Sequence, residues 1–193
     1  MNTEFKEHSN EDKVKDGGQT SVFGFIGRFA VTHTAVYFIA GMIFAALMNY
    51  RELFAAAEYA YMRPFDHPLV ILGPLLNIFR GAFLALAFLP FRKVIMGNKR
   101  GWIYLFVALW ILMHVGADAA DPGKIEGFIY ANYPVAIHFA TWPESIFSSL
   151  AFAWLFHTWE RNPKDKRLSI PLIAILVITV AVAILGLLFT PPA

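Results

Sequence analysis

The sequence predicts an all-α membrane protein of five transmembrane helices. The N-terminus lies inside, the C-terminus outside, and an outer interfacial helix sits between the first two spans. Three observations predict this. Hydrophobic residues make up 58% of the chain and charged residues only 16%, against about 45–50% and about 25% in ordinary soluble domains. The apolar excess is gathered into long runs, which is the signature of membrane helices. Lysine and arginine collect in every second connecting segment, as cytoplasmic loops do.

The chain of 193 residues is short enough to form a single domain, over 21–193. Its net charge of +2 is too small to suggest nucleic acid as a partner. With no cysteine, disulfides, thiolate metal sites and cysteine nucleophiles are excluded. Residues 1–20, MNTEFKEHSNEDKVKDGGQT, mix both charge signs with little apolar material, so they read as a disordered cytoplasmic tail that includes His8. The apolar run that follows is too long for a secretory signal.

A spanning helix needs roughly 20 mostly apolar residues. The first span covers about 22–49 and the second, opening at Pro68, about 68–91; the segment between them, RELFAAAEYAYMRPFDHP, is too short and too charged to cross and reads as an interfacial helix. The third span covers about 101–117, the fourth, opening at Pro134, about 134–159, and the fifth about 170–189. Lys6, Lys13, Lys15, Arg28, Arg92, Lys93, Lys99, Arg100, Arg161, Lys164, Lys166 and Arg167 flank one side of these spans, whereas Arg51, Arg63 and Lys124 flank the other. This asymmetry sets the orientation and predicts a multi-pass protein of the cell membrane. Trp102, Tyr104, Tyr133 and Trp159 fall near span ends, where aromatic belts form.

One residue breaks the pattern. Arg80 sits in the middle of GPLLNIFRGAFLALAFLPFR, where a charge costs ~2.5–3.5 kcal/mol on insertion scales. It requires a counter-ion or a wet cavity. At 1.5 Å of rise per residue, Arg80 lies roughly 18 Å below the outer end, Glu144 roughly 15 Å below it, and His33 roughly 16 Å above the inner end. In a core of about 30 Å these fall in one layer, so Glu144 is the expected partner of Arg80. The helical faces agree. His138, Thr141, Glu144, Ser145, Ser148 and Ser149 share an arc of about 140° on span four. Asn77 shares a face with Arg80, and Tyr37 follows His33 by four residues, placing the rings to stack. Serine, threonine and asparagine on such faces also serve simply as contacts between helices.

A second group lies nearer the outer face. Trp110, His114 and Asp118 are spaced four apart on one stripe of span three, and His138 has a depth similar to that of His114. His114, His138 and Asp118 are candidate ligands of a divalent metal; two histidines could alternatively hold a haem iron. No compact ligand motif such as HExxH accompanies them. His157, beside Glu160 and Arg161, reads as a solvated inner rim. Span five offers only Thr179, so any site belongs to spans one to four.

The stretches RPFDHPLVILGPLLNIFRGAFLALAFLPFR and HFATWPESIFSSLAFAWLF resemble a group of small polytopic prokaryotic membrane proteins with no assigned activity. The likeness rests on an Arg-x-x-x-x-Pro-Leu opening, a Gly-Pro before the buried Arg-Gly, and a Pro-Phe-Arg close. It implies membership of that group and no chemistry.

Three functional readings follow. In the first, the Arg80–Glu144–His33 layer is the site of a small transporter, channel or binding protein for a small polar or anionic ligand, a lipid head group included. In the second, the polar layer fixes the assembly of an oligomer or of a structural or accessory subunit with its partners. In the third, a metal on His114, His138 and Asp118 activates water in a membrane-embedded enzyme.

Overall fold

Local chemistry sets where the helices begin. The Ser21 hydroxyl accepts the Gly24 N–H at 3.1 Å and starts α1, Val22–Leu47. His67 Nδ1 accepts the Leu69 N–H at 3.1 Å, with Pro68 in the first turn of the short α3, Pro68–Ile71. The Asp165 carboxylate accepts the Arg167 N–H at 2.9 Å ahead of the last helix. That cap starts this helix at Lys166, four residues before the expected span.

The structure is a computed structural model and describes residues 21–53, 63–64 and 67–189. The tail 1–20 and most of the expected interfacial helix lie outside the described residues. Of those described, 82% are helical and none is in a strand. After α1, Asn49 (φ 46°) turns the chain into the short α2, Tyr50–Leu53. Beyond α3 come α4, Gly73–Phe88, a 3₁₀ turn over Leu89–Phe91 and α5, Arg92–Gly97. Next is α6, Gly101–Trp110, which passes into a π-helical turn over Ile111–Val115. The short α7, Ile125–Tyr130, and α8, Val135–Ala140, lead into α9, Trp142–Arg161, and α10, Lys166–Phe189, ends the described chain.

Five of these form the long legs of one bundle, and side-chain pairs give their directions. Phe29 stacks on Phe88, and Gly81 meets Ala30, so α1 and α4 are antiparallel. Phe25 meets Phe156 and Phe44 meets Phe147, so α1 and α9 are antiparallel too. Trp110 bonds Ser145, and His157 bonds the Asn98 carbonyl, which sets α6 against α9. Leu172 packs near Ala35 and Trp159, and Gly186 lies against Ile71, so α10 runs with α1.

Three helical stretches are long and apolar enough to cross a membrane: Val22–Leu47, Gly73–Gly97 and Lys166–Phe189. The chain is thereby compatible with a membrane protein. Five spans are expected, and the other two legs fall outside that count for different reasons. Gly101–Val115 is apolar but shorter than a span. α9 has 20 residues but holds Glu144, Glu160 and Arg161, and the break at Thr141 separates it from Val135–Ala140.

The core lies in the half of the bundle near the start of α1. Phe25, Phe29, Phe152 and Phe156 are almost wholly buried and meet ring to ring, with Phe29 and Phe152 centroids 4.6 Å apart. Below them is a buried charge cluster. Glu160, its side chain 2% exposed, takes Arg28 Nε at 2.7 Å and Arg92 Nη2 at 2.8 Å. Arg92 also lies over the Phe25 ring at 5.1 Å. His157 is not a solvated rim residue: it is buried, and its Nε2 is 3.1 Å from the Asn98 carbonyl oxygen in the turn before α6.

Candidate functional site

Above the phenylalanine core, a cavity of about 280 Å³ lies between α1, α4, α6 with its π turn, and α9. α1 contributes His33 and Tyr37, α4 Arg80 and Leu84, and the third leg Leu109, Met113 and His114. α9 contributes Glu144, Ser145, Ser148 and Ser149, and Thr141 just before it joins them, whereas His138, expected on the same stripe, does not line the cavity. α10 contributes nothing to it.

Backbone packing brings these side chains together. A Cβ on Gly81 would stand 2.8 Å from Ala30 Cα and 3.1 Å from His33 Cβ, so only glycine lets α4 lie this close to α1. The contact places Arg80, the preceding residue, beside His33. His33 and Tyr37 stack with centroids 6.4 Å apart and planes 16° apart, as their spacing suggests. His114 is carried by the π turn, a wider helical turn that re-aims side chains and recurs at functional sites.

The charges are arranged differently from the sequence expectation. Among the described residues no ion pair within 4.0 Å joins Arg80 to Glu144. The Tyr50 hydroxyl instead donates to the Glu144 carboxylate. Depth along each helix placed the two charges in one layer but carried no information on lateral distance. α4 packs on one flank of α1 and α9 on the other, so the cavity lies between them. Arg80 is exposed into this space and makes no hydrogen bond among the described residues. Two cavity-lining imidazole nitrogens, His33 Nδ1 and His114 Nε2, are buried and have no partner among the described residues. The Asn77 side chain donates from Nδ2 to its own helix, at the Gly73 carbonyl, 3.1 Å away, while the Asn77 backbone hydrogen-bonds the His33 ring.

The candidate metal ligands are separated. Gly123 (φ 82°) is wedged between the two helices that carry the histidines. A Cβ there would fall 2.2 Å from Thr141 Oγ1 and 3.1 Å from His114 Nε2. The Gly123 N–H donates to His138 Nδ1 at 3.1 Å, and the ring of His138 stacks on Phe128 with centroids 3.8 Å apart. Asp118 is exposed in the loop. Among the described residues no three histidine, aspartate or glutamate side chains converge on a metal position.

Sequence reasoning passed over Tyr50 and the Arg28–Glu160–Arg92 cluster. Asn49, a residue tolerant of positive φ directly after an apolar span, was the available signal that the chain turns back there. The cluster was legible by the same depth argument used for Arg80, since all three residues lie at the same end of their helices. The chain matches no known protein family, no curated protein and no solved structure. The resemblance read from spans two to four gains no support from these comparisons.

Proposed function

We propose that the chain is a multi-pass protein of the cell membrane that binds an anionic group in the cavity between its first four legs. All five legs cross the bilayer, with the start of α1 inside. The third leg reaches only ~22 Å by rise per residue, and a short leg is accommodated by local thinning of the bilayer.

The observation that carries the reading is Arg80. It lines the cavity without a hydrogen bond or ion pair among the described residues, while Glu144, which lines the same cavity, is engaged by Tyr50. A guanidinium at this depth has five N–H donors and no acceptor of its own, so an oxyanion satisfies both its charge and its geometry. The unpartnered nitrogens of His33 and His114 supply further polar contacts. The ligand is the phosphate or carboxylate of a solute or of a lipid head group, held for binding, transfer or passage.

The test is equilibrium binding of anionic probes to the full chain in phosphatidylcholine nanodiscs, followed by the fluorescence of Trp110 and Trp142, which meet edge to face behind the cavity wall. Arg80→Gln is expected to weaken binding ~10- to 150-fold, the equivalent of one charge-assisted hydrogen bond. Arg80→Lys retains part of it. Equal affinity in the native chain and Arg80→Gln overturns the reading.

A further inference from the structure

The cavity is walled unevenly. α1 forms its floor, with α4 along one flank and α9 along the other, and α9 in turn packs on α6. The further neighbour of α4 is α10, on the side away from the cavity. α4 makes no extended packing with α6 or α9 among the described residues. Among the described residues the gap between α4 and α6 is closed at its base. There α5 packs on α6, with the Ile95 carbonyl set directly against Gly101, and Ala85 and Leu105 are completely buried. Above that base Leu84 lines one wall and Leu109 and Met113 the other.

The rim of this gap is apolar and uncovered. On α4, Leu76, Phe79 and Phe83 share a face with Arg80 within about 100° of arc and are 56%, 64% and 70% exposed. On the opposite rim Met113 is 37% exposed. In a bilayer this surface faces acyl chains. The polar end of the gap is cationic, with Arg80 unpaired among the described residues and His33 Nδ1 and His114 Nε2 behind it. An apolar slot open to lipid that ends in a cation has the polarity of one kind of molecule.

We infer that the cavity takes an anionic amphiphile, a phosphate- or carboxylate-headed lipid, which enters sideways from the bilayer between α4 and α6. The head group meets Arg80 and the chain lies along Phe79, Phe83 and Met113. The inference rests on the anion-binding reading above and adds the route and the tail. A free phosphate shares the head-group chemistry but gains nothing from the apolar rim.

The experiment compares two probes with closely similar heads: dihexanoyl phosphatidate and glycerol 3-phosphate. Both are titrated into the full chain in phosphatidylcholine nanodiscs. Phosphatidate is expected to bind at least ~10-fold more tightly, because several methylenes leave water against the rim. The chain has no cysteine, so Phe83→Cys gives a unique thiol at the rim, outside the residues that line the cavity. A bulky maleimide on that thiol is expected to abolish the advantage of phosphatidate and leave the binding of glycerol 3-phosphate as before. Equal affinities, or phosphatidate binding unchanged by the plug, overturn the lateral route and leave the anion site standing if Arg80→Gln still weakens binding. No binding of either probe, or binding indifferent to Arg80→Gln in a protein of unchanged helix content, overturns both. Arg80→Lys, which keeps the charge, replaces Arg80→Gln if the latter does not fold.

Discussion

Arg28 Nε stands 2.7 Å from Glu160 Oε2, a contact between the first turns of α1 and the last turn of α9. Arg92, one residue past the 3₁₀ turn that follows α4, reaches the other oxygen of the same carboxylate at 2.8 Å. One acidic side chain therefore ties three helices at one end of the bundle. The tie lies directly beneath the phenylalanine core, and both arginines are largely withdrawn from solvent. A buried carboxylate between two guanidiniums is costly to form and more costly to break, because each partner left behind is an uncompensated charge.

Glu160→Ala is accordingly expected to destabilise the fold by ~3–5 kcal/mol, the usual cost of unpairing a buried ion. Replacing all three residues with leucine removes every charge at once and should recover most of that loss. Thermal unfolding of the purified full chain in detergent measures both. A triple variant less stable than Glu160→Ala would show that the cluster contributes net stability rather than fixing register.

The approach of α4 to α1 at Gly81 gives a sharper steric test. Gly81→Ala brings a methyl to within 2.8 Å of Ala30 Cα, a backbone atom that cannot rotate away. The helices must part, at about 1–3 kcal/mol for overpacking. Gly27→Ala is the control, since nothing lies within 4 Å of a Cβ there. It should leave stability unchanged or raise it by ~0.5–1 kcal/mol through helix propensity. Equal effects of the two substitutions would mean that the close crossing is absent in the membrane.

Double-mutant cycles separate the two candidate partners of Glu144. Tyr50→Phe combined with Glu144→Gln should show a coupling above ~0.5 kcal/mol, because the hydroxyl donates directly to the carboxylate. Arg80→Gln combined with Glu144→Gln should be additive within ~0.5 kcal/mol, as expected for side chains not in contact. The reverse pattern would restore the ion pair that the depth argument suggested.

That argument marks how far the sequence could be read. Hydropathy located α1, the third leg and α10 to within four residues, because burial in lipid or in a bundle demands long apolar runs, whereas the long fourth helix opens at Trp142 and not at Pro134. Helical periodicity gathered Glu144, Ser145, Ser148 and Ser149 on one stripe because they lie within one helix, but it also put His138 on that stripe across the break at Thr141 and Asn77 on the face of Arg80, and neither lines the cavity. Contacts between helices were beyond its reach. Whether Arg80 touches Glu144 depends on how closely α4 and α9 pack, which is set by Gly81 against Ala30 and by the aromatic packing of Phe29 and Phe152. Likewise, the depths of His114 and His138 were read as matching, but the Gly123 turn between them depends on a positive φ and on the Asp121–Pro122–Gly123 loop folding inward. The polarity of His157 suggested solvent, while its carbonyl partner at Asn98 lies 59 residues away in the chain.

Orientation in the bilayer follows from the same end of the bundle. Arg28, Arg92 and Glu160 are clustered there, and the start of α1, the end of α5 and the α9–α10 turn all return to it. Those segments carry Lys93, Lys99, Arg100, Arg161, Lys164, Lys166 and Arg167, while the opposite connections hold Arg51, Arg63 and Lys124. Basic residues in short loops are retained on the cytoplasmic side, so this end is expected inside. With five crossings α10 must finish outside. Fusions test the claim at two points: a periplasm-active reporter after Phe189 should be active, and the same reporter inserted after Asn98 should be silent. If α6 or α9 fails to cross alone, the reporter after Phe189 falls silent while the one at Asn98 stays silent. If the whole orientation is inverted, both change together. The two fusions thus separate a wrong count of crossings from a wrong direction.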